Sequence, residues 1–190
     1  MVRLNSVVRY ALLIPALVFP QLSTAQGCPK MPSADEAVSA VDHGDIKSEF
    51  CARAAFRLIE RLPKDEAIPI LIRHLGFREP LTNAPRSWES LYPAVDSLCD
   101  VGLPAELPLI EFLAQDENEK STEHANAIVA LALIRHADVV PTIKLLRQRS
   151  AALAGTPASA RLETVARYML KTYCAAGRRQ LCEKALREAN

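Results

Sequence analysis

The sequence predicts an all-α fold of stacked helical hairpins, and three observations carry that prediction. Pro69, Pro108 and Pro141 can be set in register, 39 and 33 residues apart. One apolar pattern then surrounds each of them. An alanine lies fourteen residues before (Ala55, Ala94, Ala127) and a large aliphatic ten before (Ile59, Leu98, Leu131). Others lie seven before (Leu62, Val101, Ile134), one before (Ile68, Leu107, Val140) and two after (Leu71, Ile110, Ile143). Finally, the 190 residues are 49% hydrophobic but only 5% aromatic, with six glycines, which suits closely packed helices better than sheets. That length suffices for one domain with a sizeable core.

The clearest copy runs from Ala127 to Leu146. It reads as an apolar helix, a short turn with Asp138, and a second helix with Pro141 in its first turn. Offsets of three and four place the alanine and the aliphatics on one face of the first helix. Proline has a fixed φ and no amide hydrogen, so it belongs in a helix's first turn, where that donor has no intrahelical acceptor anyway. A further step of 39 from Pro141 lands on Gln180, with Ala166, Leu170 and Tyr173 at the matching upstream places. One such hairpin cannot bury its apolar face alone, so neighbours must stack.

This pattern resembles the HEAT-repeat family, including the bacterial HEAT-like repeats of phycobilisome-lyase-type proteins. The resemblance covers residues 50–150 and, more faintly, 160–190. It departs from the family at Gln180, where proline is expected, and at His74 and Thr142, which fill core places. It implies a right-handed α-solenoid over residues 46–190, with about three clear repeats and a degenerate fourth. It also implies protein–protein contact along the concave side, which the second helices line.

Residues 1–25 read as a secretory signal peptide. Arg3 and Arg9 begin it, an apolar run from Ala11 to Phe19 follows, and Ser23-Thr24-Ala25 offers a cleavage site. The run is too short to span a bilayer and no other stretch approaches it, so the mature chain is expected to be exported, periplasmic or secreted. A lipid anchor on Cys28 is the less favoured alternative, because Ala25-Gln26 matches the usual residues before such a cysteine poorly. Residues 26–45 form an N-terminal arm and a capping helix over 33–43, where Ser33 and Glu36 have capping-box spacing. After the Gly44-Asp45 break, helices are expected over Ile46–Leu62 and Lys64–Leu75.

Residues 76–87, with Pro80, Asn83 and Pro85, read as a loop inserted on one rim. Trp88, the only tryptophan, sits at its edge as a packing residue or, alternatively, an interface anchor. Asp116-Glu117-Asn118-Glu119-Lys120 is a second, solvated rim loop. Residues 151–159 form a small-residue connection separating the strong repeats from the terminal pair.

Five cysteines remain after residue 25: Cys28, Cys51, Cys99, Cys174 and Cys182. Export permits disulfides, and the odd count leaves one over. Cys174 and Cys182 bracket a turn at Gly177 and can staple the last hairpin, while Cys28 and Cys51 can tie the arm to the first. Cys51 with Cys99 fits worse, since nine residues of register displace them by about 13 Å along parallel helices, against the roughly 7 Å between Cα atoms that a disulfide tolerates. Cys99 is then a small buried hydrophobe.

Charge is asymmetric beneath a near-neutral total. Residues 26–134 carry 10 basic and 18 acidic side chains, whereas residues 135–190 carry 11 and 4. A basic end can attract an acidic partner or surface, although a merely solvated basic face is the favoured explanation. Nucleic acid is not expected of an exported chain without an aromatic-studded basic groove.

Nothing in the sequence calls for a cofactor or a metal. His43, His74, His124 and His136 show no ligand spacing: His74 takes a core place, His124 begins a helix and His136 sits in a turn. Asp116, Glu117 and Glu119 lack a facing carboxylate, and no nucleophile elbow or phosphate loop is present. The expectation is therefore a non-catalytic exported scaffold that binds a protein or peptide. The positions pointing away from the core stripe are Arg73, Glu111, Gln115, Lys144, Arg147, Gln148, Lys184 and Arg187, with Trp88 beside them. Two alternatives stand: a lyase-like enzyme or enzyme accessory holding a small molecule in its groove, and a structural envelope component. The former requires a deep pocket lined by paired titratable groups, which is not expected here.

Overall fold

Alanine-rich stretches capped by serine and threonine fold here into helices and short turns. The computed structural model describes residues 28–80, 91–136, 138–174 and 179–187, and among these there are helices and no strands. The signal-peptide reading, most of the 76–87 loop and Trp88 lie outside the described residues.

The helices, in order, are α1 (Ala34–Asp42), α2 (Glu49–Glu60), α3 (Lys64–Arg73), α4 (Pro93–Val101), α5 (Glu106–Gln115), α6 (Thr122–Ile134), α7 (Val140–Ala152), α8 (Pro157–Tyr173) and α9 (Arg179–Arg187). A 3-10 turn, Leu103–Ala105, leads into α5. Four starts are set by hydroxyl caps: Ser33, Ser48, Ser121 and Thr156 each accept a backbone N–H from the third residue beyond. At α1 the Glu36 carboxylate accepts from the Ser33 hydroxyl at 2.7 Å, so Ser33 and Glu36 are paired at the helix start. Ser48 also explains why α2 starts three residues later than the apolar pattern suggests, with Ile46 buried just ahead of it.

Three rows of the proline register form the centre of the core. Ala55, Ala94 and Ala127, then Ile59, Leu98 and Leu131, then Leu71, Ile110 and Ile143 are all fully buried. Ala166 extends the first row into α8, and Leu170 is half-buried. Leu107 corrects the pattern: it is 51% exposed, because the 3-10 turn rotates the entry into α5 and aims it outward.

The prolines do not all occupy a first turn. Pro141 is the second residue of α7 and Pro108 the third of α5, but Pro69 is the sixth of α3. Lys64, Asp65 and Glu66 start α3 earlier, and acids at a helix start are favoured by the dipole. The amide that Pro69 lacks would have served the Asp65 carbonyl; Pro69 and Asp65 are both exposed, so water can reach that group.

Among first helices, α2 packs on α4, α4 on α6 and α6 on α8, while α3 meets α5. The most extensive pairing is α7 with α8. Here the expected connection over 151–159 is mostly helix: α7 continues to Ala152, Gly155 turns at φ +84°, and Thr156 caps α8. Small residues allow the close approach, and the Ser150 hydroxyl donates to the Ser159 carbonyl at 2.9 Å.

Both expected cysteine pairs lie at disulfide distance, with Cα separations of 5.3 Å for Cys28–Cys51 and 6.2 Å for Cys174–Cys182. Cys99 packs half-buried against the core. No helix among the described residues is long and apolar enough to cross a membrane.

Candidate functional site

Two concavities border α8, one on each side of its buried stripe. The first lies among α7, α8 and α9. Lys144, Arg147 and Gln148 come from α7, Glu163 from α8 and the buried Leu186 from α9, enclosing about 470 Å³. It continues past Arg147 to Leu170, Glu183 and Arg187, adding about 200 Å³. Arg147 Nε stands 3.9 Å from Glu163 Oε2, a half-exposed pair too loose to fix the arginine.

Four of the sequence-expected contact residues are thus brought together: Lys144, Arg147, Gln148 and Arg187. The others are dispersed. Arg73 ends α3 and lies 3.5 Å from Asp42 at the end of α1. Glu111 is engaged by Arg149, with Nε–Oε1 at 2.7 Å and Nη2–Oε2 at 2.9 Å, so it ties α5 to α7. Gln115 is exposed at the end of α5, and Lys184 is exposed on α9 outside the groove lining.

The second concavity, about 500 Å³, runs between α6 and α8 and is lined by Glu119, His124, Ala125, Ile128, Val129, Thr164, Val165 and Tyr168. His124 is buried, and its Nδ1 lies 3.0 Å from Asp116 Oδ2. The same carboxylate group accepts from the Asn118 amide and the Ser121 hydroxyl, so Asp116 organises the turn that starts α6. The rim loop expected to be merely solvated therefore carries a half-buried acid paired with a buried histidine. Of this pair only His124 lines the cleft. Eight residues separate Asp116 from His124 in the chain, and the turn between them, invisible to helical spacing, brings them into contact.

Several other buried polar groups tie helices together. Glu106 accepts from Arg135 Nε at 2.8 Å and Nη2 at 2.7 Å, and from the Thr142 hydroxyl. Burial works to raise its pKa, but the hydrogen bonds from Arg135 and Thr142 and the arginine's charge outweigh it and hold the carboxyl below its ordinary range. Thr142 at a core place is thereby explained: its hydroxyl has a partner. Asn126 donates to the Leu75 carbonyl at 2.6 Å, and Arg161 Nη2 to the Ala114 carbonyl at 2.6 Å. Those two carbonyls stand six residues after Pro69 and Pro108, so the same register place is capped twice from a later helix. Burial lowers the His74 pKa, only partly countered by Asp42, whose Oδ1 lies 3.1 Å from Nε2 but off the hydrogen-bonding direction.

His43 bonds the Ser39 carbonyl at 2.7 Å, and His136 adopts a positive φ of 50° in an exposed turn. Among the described residues no group of three or more metal-ligating side chains converges. Comparison with protein-family models, curated proteins and solved structures returned no match in any of the three.

Proposed function

We propose that the chain is an exported α-solenoid scaffold of HEAT-like hairpins that binds another protein or a peptide and performs no reaction of its own. The observation that carries this reading is the convergence of Lys144, Arg147, Gln148 and Arg187 on one groove from sequence positions picked out only by the repeat register. A repeated core of fully buried alanine and aliphatic rows supports stacking, and in a stack each second helix offers side chains to a shared surface. The groove combines cationic side chains with a buried leucine floor, a chemistry suited to a peptide bearing a carboxylate near an apolar residue. Export is supported by the two cysteine pairs at disulfide distance, which persist in oxidising compartments.

The test is recovery of envelope proteins on the immobilised chain, compared with Lys144→Glu plus Arg147→Glu. Loss of specific partners from the double variant, with unfolding temperature unchanged, is the expected result. Unchanged recovery discards the basic groove. A second reading, an enzyme accessory holding a small molecule, is favoured by the Asp116–His124 pair beside the α6–α8 cleft.

A further inference from the structure

The cleft between α6 and α8 has the volume and the lining of a small-molecule site. Its roughly 500 Å³ falls within the range of such pockets. Ala125, Ile128, Val129 and Val165 form apolar walls. Its polar groups are few, and their roles can be assigned. Thr164 is committed, its hydroxyl donating to the Ala160 carbonyl at 2.9 Å. His124 Nδ1 faces a carboxylate oxygen, which can only accept, so Nδ1 carries a proton. Glu119 adds an exposed carboxylate. Tyr168 is 50% exposed for an aromatic residue beside apolar walls, and the face of its ring attracts cations.

Glu119 is the one charged side chain in the lining of the cleft, apart from the His124 ring, which is engaged by Asp116. On α8, Arg161 is held on the Ala114 carbonyl, and neither it nor Arg167 nor Lys171 lines the cleft. An anion entering would meet the Glu119 carboxylate. A cation would meet that carboxylate and the π face of Tyr168, with room for an apolar body behind it.

We propose that the α6–α8 cleft binds a small amphipathic cation, an ammonium group on an apolar body, with the charge held by Glu119 and Tyr168 and the body seated between Ile128 and Val165. This site is separate from the α7–α9 groove and does not depend on the scaffold reading.

The test is titration of the isotope-labelled protein with hexylammonium, hexanoate and hexanol, following backbone amide resonances. Hexylammonium is expected to shift Ile128, Val129 and Val165 saturably, and hexanoate to leave them in place at the same concentrations. Glu119→Gln, at an exposed position, is expected to weaken hexylammonium about fivefold, the scale of a solvent-screened ion pair. Ala125→Trp, also exposed, fills the mouth of the cleft and should abolish the shifts while unfolding stays as in the wild type. Equal binding of hexanoate and hexylammonium, indifference to Glu119→Gln, or absence of any saturable shift at these amides overturns the proposal.

Discussion

The first and last hairpins solve the same problem differently. Among the described residues, each has a side that no further hairpin covers. At α2–α3 the N-terminal arm supplies cover: α1 packs its buried Ala37, Ala40 and Val41 on α2, and Cys28–Cys51 fastens the arm to the first turn of α2. At α8–α9 no helix follows among the described residues. The Cys174–Cys182 pair staples the hairpin to itself instead, and α8 is bordered by both concavities. Where a hairpin is covered, its apolar face becomes core. Where it is only stapled, the apolar stripe of α8 is still buried, but concavities open on both of its flanks.

The largest expected effect separates the interior from the last hairpin. Leu98→Ala, at a fully buried site, should lower unfolding free energy by about 3 kcal/mol, since cavity and transfer costs add. Leu170→Ala, half-buried on α8, should cost roughly half as much or less. Chemical denaturation measures both, and equal losses would erase the distinction between covered and open ends.

The staples should differ in kind. Replacing Cys28 and Cys51 by serine opens a loop of 23 residues, worth about 3 kcal/mol of chain entropy, and should appear in global unfolding. Replacing Cys174 and Cys182 opens a loop of 8, worth about 2.5 kcal/mol, and should appear first as faster amide exchange in α9. Uniform exchange across the chain in the second variant would contradict the picture of a locally stapled end.

Acid should act in two stages. His74 has a folded pKa below its ordinary value, so the unfolded chain binds the proton better, and stability declines as pH falls below about 6.5. Glu106 also has a lowered folded pKa. Its contribution is complete above the ordinary carboxylate range and is lost as pH falls through the folded value. Stability measured against pH should therefore fall first through His74 and then through Glu106. His74→Asn should remove the upper stage and Glu106→Gln the lower. A profile unchanged by Glu106→Gln would show that its ties to Arg135 and Thr142 contribute no net stability.

The smallest expected effect is at the open groove. Lys144→Glu with Arg147→Glu should change unfolding free energy by no more than about 0.5 kcal/mol, as for surface sites generally. A larger loss in thermal unfolding would make those residues part of the scaffold's support.

Legibility in the sequence followed the kind of force involved. The alanine and aliphatic rows were readable because burial of an apolar side chain repeats with the helix period, and three copies reinforce one pattern. Leu107 escaped because it is the second residue of α5, directly after a 3-10 turn, where the spacing of the helix interior does not yet apply. The Asp116–His124 contact escaped for a different reason. It depends on how a non-helical turn folds back, and its hydrogen bonds run between side chains that have no fixed offset.

By itself the sequence determined the helical class and the alanine and aliphatic rows of the core, because these follow from local periodicity, and it offered the two cysteine pairs as possibilities. Only the tertiary structure decided that Arg147 and Arg187 share a groove, that Glu106 meets Arg135 and Thr142, and that α6 and α8 part into a cleft. These depend on the distance between helix axes, which is fixed by packing of all the neighbouring side chains together and is written at no single position.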